Sequence, residues 1–273
     1  MPELPEVETI RKGLEKYIVG KKILSLELID KKLFQDNVKY VNGIQITSVR
    51  RLGKGLAIDL KNNFTITIHI KMTGQLIYQD GKINKSLTLS SKHIRAIFIL
   101  NNNAKLYFVD IRRFGWIKIV KTSEVKKMSF FKNLGPEPFK NLTPSYLHQL
   151  CIKSNLPIKV LIMDQSKISG VGNIYANDAL NLAKINPLRK AKSLSEKESN
   201  KLYLSILEVL NRGLKYGGSS EVNYVNADGN KGSYQNHSLT YNREGKKCYN
   251  CDGIIKKIRI AGRGTYVCAS CQK

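Results

Sequence analysis

Four cysteines near the end of the chain have the spacing of a metal site. They follow the pattern Cys-x2-Cys-x16-Cys-x2-Cys and stand at Cys248, Cys251, Cys268 and Cys271. Four thiolates in two such pairs suit tetrahedral Zn²⁺ and leave no ligand position open for a substrate. Two disulfide bonds are the alternative, which a reducing compartment disfavours. The sequence therefore predicts one structural zinc ion.

The segment between the two cysteine pairs could reach a nucleic acid. Its sequence, IIKKIRIAGRGTYV, alternates in the way of two basic strands that turn near Gly262–Gly264. A hairpin of this kind can enter a groove of a duplex, with Arg263 at its tip. A zinc ribbon that contacts protein or RNA explains the motif equally well.

The first residues offer a second kind of chemistry. Removal of Met1 would leave Pro2 as a secondary amine just before a helix, whose positive end disfavours protonation of that amine. An α-amine titrates at about pH 8, so part of it is neutral and able to attack an aldehydic carbon, which gives an iminium ion. Glu3 and Glu6 flank this amine. The alternative is that both acids simply complement the helix dipole.

The charge balance narrows the class of partner. The chain has 273 residues, with 46 Lys and Arg against 21 Asp and Glu, which gives a net charge of +25. Such a surplus favours a polyanion, with nucleic acid first and an acidic membrane surface second, although a lysine-rich solvated surface would also explain it. No apolar run approaches the length of about 18 residues that a membrane span needs, and the N-terminus lacks a secretion signal. We therefore expect a cytoplasmic protein.

The periodicity of apolar residues predicts which elements position these groups. Val7, Ile10, Leu14 and Ile18 recur at helical spacing and predict a helix over residues 5–20. Seven short runs with a period of two follow between residues 23 and 121, and they predict an antiparallel sandwich or barrel. These runs are ITSVRRL, LAIDL, FTITIHI, QLIYQ, IRAIFIL, KLYFVDI and WIKIV.

The second half returns to helical periodicity. Thr143 before Pro144 predicts a helix start, and Ser195 with Glu198 forms a capping box before another helix. Residues 217–243 are rich in Gly, Ser and Asn and predict a long mobile loop. The predicted boundaries are 1–125 for the helix and β-sandwich, 126–140 for a linker, 141–243 for a helical domain with that loop, and 244–273 for the zinc finger.

Several motifs together resemble one family. The segment PELPEVET at residues 2–9 resembles the N-terminus of the bacterial formamidopyrimidine-DNA glycosylases, bifunctional enzymes that remove 8-oxoguanine and ring-opened purines. The sister endonuclease VIII group typically begins PEGPE, so Leu4 favours the purine-directed branch. The resemblance continues in order along the chain through RRLGKGL, MTGQL, SKH, DIRRFG, LGPEP, SGVGNIYANDAL, YVNADG and RGTYVC.

The resemblance implies a catalytic role for four residues. Pro2 would attack C1′ of the damaged nucleotide once Met1 is removed, and Glu3 would protonate the sugar ring oxygen. Lys54 would donate the proton for β-elimination, although an ordinary lysine at a strand edge is the alternative. Arg263 would serve δ-elimination and bind the phosphates beside the lesion. No redox cofactor is needed.

The resemblance also implies a set of DNA contacts. Met72, Arg112 and Phe114 match the residues that fill the gap left by an extruded base, with core packing as the alternative for Met72 and Phe114. Three further residues match phosphate or DNA contacts: His93, Lys159 and Asn173. The segment Ser219–Val225 resembles the part that closes over the extruded lesion.

This chain departs from the family at two positions. Arg95 stands where the family often has a second histidine, and Asn155 stands where it often has a basic residue. Both departures concern DNA contacts and leave the implied catalytic residues unchanged.

The resemblance thus implies an α+β, multi-domain protein. It would have an N-terminal helix plus antiparallel β-sandwich, then a helix-two-turns-helix domain with a C-terminal zinc-finger β-hairpin, and its active site would lie between the domains. We expect a monomeric base excision repair enzyme, without a membrane partner, that acts on double-stranded DNA with damaged bases or abasic sites. An endonuclease VIII-like enzyme for oxidised pyrimidines and a non-catalytic zinc-ribbon protein that binds nucleic acid are the alternatives.

Overall fold

The computed structural model describes residues 1–30, 37–80, 91–221 and 223–273. The chain divides into two compact units, residues 1–132 with 217–233, and residues 133–216 with 234–273. Residue 222 of the segment that resembles the lesion loop therefore lies outside the described residues. Among the described residues, no helix has the length and apolar character needed to cross a membrane.

The first unit begins with helix α1, Leu4–Ile18. The residues that set its predicted period, Val7, Ile10, Leu14 and Ile18, are all fully buried. Pro5 occupies the first turn, where its missing N–H removes no helical hydrogen bond. The predicted helix is confirmed, and it ends two residues earlier than residue 20.

An antiparallel sheet of eight strands follows in the order β5-β7-β6-β1-β2-β3-β4-β8. The predicted runs correspond to β2 to β8. Strand β1 was not predicted, because its buried residues Ile23 and Leu26 are three apart and a register shift separates Ile23 from Ser25. The strands are β1 Lys22–Leu28, β2 Ile44–Leu52, β3 Gly55–Leu60, β4 Phe64–His69, β5 Gly74–Gln79, β6 Ile94–Leu100, β7 Lys105–Asp110 and β8 Trp116–Lys121.

One hydrophobic core serves both halves of this sheet and α1. Ile68 of β4 and Phe108 of β7 belong to the same buried cluster as Ile10 of the helix. Tyr224 and Ala227, from the distant segment 217–233, complete that cluster. The predicted combination of a helix with antiparallel strands around a common core is therefore confirmed. A short helix, α2 (Ser129–Lys132), ends the first stretch of the unit.

The second unit is helical and ends in a hairpin. Its helices are α3 Pro144–Ile152, α4 Ile158–Met163, α5 Asn173–Ala183 and α6 Glu196–Lys215. Both predicted caps are confirmed: Thr143 Oγ1 accepts from the Tyr146 N–H at 3.1 Å. Ser195 Oγ accepts from the Glu198 N–H at 3.3 Å.

Strands β9 (Ile255–Ile260) and β10 (Arg263–Cys268) form the predicted hairpin. Its turn lies at Ala261 and Gly262, whose φ angles of 46° and 75° are those of the primed turns that match strand twist. Arg263 is therefore the first residue of β10, one step beyond the turn.

Candidate active site and nucleic-acid interface

Two carboxylates are buried at the start of α1. Glu3 is its N-terminal capping residue, and the Glu3 N–H donates to Glu6 Oε2 at 2.7 Å. The side chains are only 3% and 1% exposed, and Pro2 immediately before them is buried as well. The positive end of a helix stabilises nearby acids. The structure thus places a buried proline within one helical turn of two acids.

Glu6 also holds the segment 217–233. Its Oε1 accepts from the Ser219 N–H at 2.8 Å, and its carbonyl accepts from the Tyr224 hydroxyl at 3.3 Å. Burial, followed by the charge of Glu6, raises the pKa of Tyr224, so its hydroxyl stays a neutral donor. Gly218 has a φ of +84°, and a Cβ there would lie 2.8 Å from Glu6 Cγ. A glycine is therefore required where the segment passes over Glu6.

Lys54 lies in the turn after β2 and is buried. Arg51 ties this turn to α1, because its Nε donates to Glu8 Oε2 at 2.9 Å and its Nη1 to the Gly53 carbonyl at 3.0 Å. The Arg51–Glu8 ion pair therefore places the turn that carries Lys54 against α1.

His69, which the sequence pattern does not mark as a site residue, faces the charge of Lys54. Burial, followed by the charges of Lys71 and Lys54, lowers the pKa of His69 to about 3. Its Nδ1 accepts from the Lys71 N–H at 2.9 Å, as a neutral imidazole can. The available signal was a single histidine at the end of a strand of alternating threonine and isoleucine, which more often marks a packed core residue.

Three of the predicted DNA contacts come together on the surface of the first unit. Met72 and Phe114 are 45% and 53% exposed, so the alternative of core packing is wrong for both. The Arg112 guanidinium stands between them, with Nη1 at 3.3 Å from Met72 Sδ and Cζ at 4.6 Å from the Phe114 ring centroid. An exposed thioether, a planar cation and a ring form a suitable wedge for an opened base stack.

In the second unit, three predicted residues meet at the tip of the hairpin. Lys159 is 1% exposed, and its Nζ donates to the Gly264 carbonyl at 3.1 Å and to Thr265 Oγ1 at 2.7 Å. Asn173 Nδ2 donates to the same carbonyl at 3.1 Å. Both side chains therefore bind the backbone next to Arg263, whose own side chain is exposed.

The remaining predicted contact, His93, and one departure, Arg95, belong to the first unit, and the other departure, Asn155, belongs to the second. His93 is half-buried, and its Nδ1 has no hydrogen-bond partner within the described ranges. Arg95 donates from Nε to the Asp110 carbonyl at 2.8 Å, so it supports the strand ends of the first unit. Asn155 is exposed in the second unit.

The four predicted metal ligands form one cluster. Their sulfur atoms all lie within 4.8 Å of one another, and none is in a disulfide bond. The Sγ atoms of Cys248 and Cys271 are 3.8 Å apart, and those of Cys251 and Cys268 are 3.4 Å apart. A tetrahedral zinc ion with Zn–S bonds of about 2.3 Å needs sulfurs about 3.8 Å apart. The donor set and its size therefore fit Zn²⁺.

Comparison with known proteins gives one consistent result over the whole chain. Residues 1–117 match the formamidopyrimidine-DNA glycosylase N-terminal domain, residues 134–224 match the H2TH domain of the same enzymes, and residues 245–273 match the zinc finger found in FPG and IleRS. A formamidopyrimidine-DNA glycosylase of Desulforamulus reducens is 39% identical over 280 residues, which covers 100% of this chain and 99% of that protein.

Solved structures agree with the sequence comparison. The chain is similar to a Lactococcus lactis FPG mutant in complex with Fapy-dG containing DNA, with a TM-score of 0.91 and 34% identity over 100% of both chains. It is also similar to MutM in complex with carbocyclic 8-oxo-G containing DNA, with a TM-score of 0.89 and 34% identity over 100% of both chains.

Proposed function

This chain belongs to the formamidopyrimidine-DNA glycosylase family, and we propose that it excises 8-oxoguanine and formamidopyrimidines from duplex DNA and then cleaves the strand as an AP lyase. The observation that carries the proposal is the buried corner at the start of α1, where Pro2 precedes the carboxylates of Glu3 and Glu6. A buried amine beside an acid suits covalent attack on a sugar carbon, because the acid supplies the proton that the opening ring needs.

The reaction proceeds through a covalent bond to Pro2. After Met1 is removed, the Pro2 nitrogen attacks C1′, and the bond from C1′ to the damaged base breaks with its electron pair on the base, which takes up the proton that the amine loses. Glu3 protonates the ring oxygen, so that the sugar opens and the C1′–nitrogen bond becomes an iminium. While Met1 remains, that nitrogen is part of an amide and has no available lone pair. The unprocessed chain is therefore inactive in this step.

Strand cleavage follows from the same intermediate. The iminium acidifies the C2′ protons, so loss of one of them expels the 3′ phosphate in β-elimination. Lys54 donates the proton in this β-elimination, and Arg263 serves the second elimination, which expels the 5′ phosphate. Met72, Arg112 and Phe114 fill the space of the extruded nucleotide, His93 belongs to the proposed DNA interface, and Lys159 and Asn173 support the hairpin tip beside Arg263.

The zinc ion has a structural role, since four cysteine ligands leave no position open for a substrate. The ion would hold the hairpin of β9 and β10, whose second strand begins at Arg263. The surplus of basic residues supplies attraction to the DNA backbone that does not depend on sequence. A cytoplasmic location with access to the nucleoid fits this substrate.

Borohydride trapping of the Met-processed protein tests the proposal. We expect reduction to link the wild-type protein covalently to a duplex that contains 8-oxoguanine, and we expect Pro2→Gly to lose this product. A parallel duplex with thymine glycol measures activity on oxidised pyrimidines. Binding without a trapped product on any lesion would overturn the enzymatic proposal. Trapping on thymine glycol alone would replace the purine substrate by a pyrimidine.

A further inference from the structure

The three wedge residues, Met72, Arg112 and Phe114, come from two different connections. Met72 lies in the turn between β4 and β5, and the other two lie in the connection between β7 and β8. Strands β5 and β7 pair, with Gly74 opposite Asp110, so the two connections leave the sheet side by side. A wedge built from two separate connections needs something that keeps them together.

A single hydroxyl joins the two connections. Thr73 Oγ1 donates to Asp110 Oδ1 at 2.5 Å, and it accepts from the Arg112 N–H at 3.0 Å. Thr73 follows Met72 directly, so this hydroxyl links the backbone beside one wedge residue to the backbone of another. Both Thr73 and Asp110 are buried, which shields these hydrogen bonds from water.

Asp110 extends the link to the far end of the second connection. Its Oδ2 accepts from the Gly115 N–H at 2.7 Å, and its Oδ1 also accepts from the Arg112 N–H at 3.2 Å. The carboxylate therefore spans the loop on which Arg112 and Phe114 stand. Thr73 attaches this braced loop to the turn of Met72 through the backbone, in addition to the exposed contact of Arg112 Nη1 with Met72 Sδ.

The packing around both connections leaves little room for other arrangements. A Cβ at Gly74 would lie 2.4 Å from the Ile70 carbonyl oxygen, and one at Gly115 would lie 2.7 Å from Phe108 Cζ. Arg113 adopts a φ of 58° and pairs with Asp30 at 2.6 Å. Each connection is thus fixed in itself, and the hydroxyl of Thr73 fixes one relative to the other.

We propose that Thr73 is a positioning residue for base extrusion, because its hydroxyl holds Met72 in register with Arg112 and Phe114 so that the three enter the duplex as one wedge. This inference rests on the proposed function. It touches neither the covalent chemistry at Pro2 nor the zinc finger. Its consequence is selective: a substrate that needs little unstacking depends less on Thr73 than an intact lesion does.

The physical reason lies in what remains when the hydroxyl is lost. Thr73→Val keeps the shape but sets a methyl group against the Asp110 carboxylate, so that Oδ1 loses its nearer donor and keeps the longer bond from the Arg112 N–H. A buried carboxylate that loses one of its hydrogen bonds to an apolar group is destabilised in its present arrangement, so the two connections move apart or admit water. A wedge that must be reassembled during extrusion slows that step. At an abasic site no base has to leave the stack, so the loss is smaller.

The test compares two substrates across four proteins. Wild type, Thr73→Val, Thr73→Ser and Thr67→Val are assayed in single turnover on an 8-oxoguanine duplex and on the same duplex with a preformed abasic site. Thr67 is a matched control, because it is a fully buried threonine of β4 whose hydroxyl donates to the Lys118 carbonyl at 3.2 Å, away from the wedge. A 2-aminopurine beside the lesion reports unstacking, and thermal unfolding reports the fold. Thr73→Ala is the replacement should the valine variant fail to fold.

We expect Thr73→Val to lower excision of 8-oxoguanine about 10-fold and to slow the 2-aminopurine signal in parallel, while abasic-site cleavage changes less than about twofold. Thr73→Ser restores both signals, and Thr67→Val leaves both near wild type. Equal losses on the two substrates, or excision at the wild-type rate, would overturn the role of Thr73. Failure of the wild-type protein on 8-oxoguanine would instead overturn the proposed function.

Discussion

The corner at the start of α1 and the tip of the zinc-finger hairpin both carry proposed catalytic groups, but they hold them in different ways. At the corner the reacting groups are themselves fixed, since Glu3 caps the helix and Glu6 binds two backbone segments. At the tip only the backbone beside Arg263 is held, by Lys159 and Asn173, and the guanidinium is exposed.

This difference predicts what each region tolerates. The corner depends on close contacts within the first unit, so a single added carbon can disturb it. The tip depends on support from other residues and from a metal ion, so it fails when that support is removed even though Arg263 is intact. Covalent chemistry needs its acids at fixed distances, whereas a long cation that follows a phosphate benefits from a free end.

Removal of the metal should have the largest effect on activity, and it should act only through the hairpin tip. We expect Cys268→Ser to lose zinc and to lower duplex binding and strand cleavage by more than about 100-fold, because a structural zinc ion contributes folding free energy outright. Zinc release is measured with a colorimetric chelator, and cleavage on an 8-oxoguanine duplex.

Cys151→Ala is the control for this variant, since Cys151 is buried and lies outside the cysteine cluster. It should keep its zinc and its activity. Should Cys268→Ser retain cleavage after its zinc is gone, the tip would not depend on the metal, and the contrast with the corner would disappear.

Crowding of the corner should have the next largest effect. Gly218→Ala places a Cβ 2.8 Å from Glu6 Cγ, so we expect the segment 217–233 to move off Glu6 and excision to fall about 30-fold. Gly20→Ala is a matched control, because Gly20 has the same φ of +84° with no atom within 4 Å of the added Cβ.

The two alanine variants carry the same backbone strain, which is about 1–2 kcal/mol for a left-handed residue. Thermal unfolding should therefore show a similar loss from the strain in both, and only Gly218→Ala should add a loss of excision beyond about twofold. Equal activity of the two variants would show that the contact with Glu6 has no catalytic consequence.

Much of this contrast could be predicted from the sequence. The period of apolar residues predicts α1, and the cysteine spacing predicts the metal site, because both signals are local and repeated. The family motifs supply Pro2, Glu3 and Lys54. Strand β1 was not predicted, because a bulge breaks the alternation of its buried and exposed residues.

The partners of the predicted residues could not be found in the same way. Thr73 and Asp110 lie within the motifs MTGQL and DIRRFG, yet only the pairing of β5 with β7 brings them together. Lys159 similarly meets Gly264 across 105 positions of sequence. Hydrogen bonds between distant segments leave no periodic pattern in the chain.

Lys159 offers a smaller and sharper test of the tip. If Lys159 contacts a DNA phosphate, its loss should reduce the steepness of log affinity against log salt concentration by about one. If Lys159 instead supports the hairpin tip, Lys159→Met should leave that slope unchanged, while δ-elimination falls about 10-fold and the β-elimination product accumulates. We expect the second result, because its Nζ is buried against Gly264 and Thr265.

Lys256→Met controls for the loss of one positive charge, since Lys256 is exposed on the same hairpin. It should leave the product ratio unchanged. A reduced salt slope in Lys159→Met with an unchanged product ratio would make Lys159 a phosphate ligand and leave Arg263 without this support.

Acid should produce the smallest effect and should act on the first unit through His69. The folded state lowers the pKa of His69 to about 3, whereas an unfolded histidine titrates at about 6.5. As the pH falls below 6.5 the unfolded state binds the proton first, so stability is lost progressively toward pH 3. Between pH 7 and pH 5.5 this linkage amounts to about 1.3 kcal/mol.

His69→Asn keeps an acceptor for the Lys71 N–H but does not titrate. Between these two pH values, urea unfolding should therefore show a loss of unfolding free energy that is smaller for this variant by that amount. Equal losses in the two proteins would mean that His69 is already charged in the folded state, so that burial and the charges of Lys71 and Lys54 do not lower its pKa.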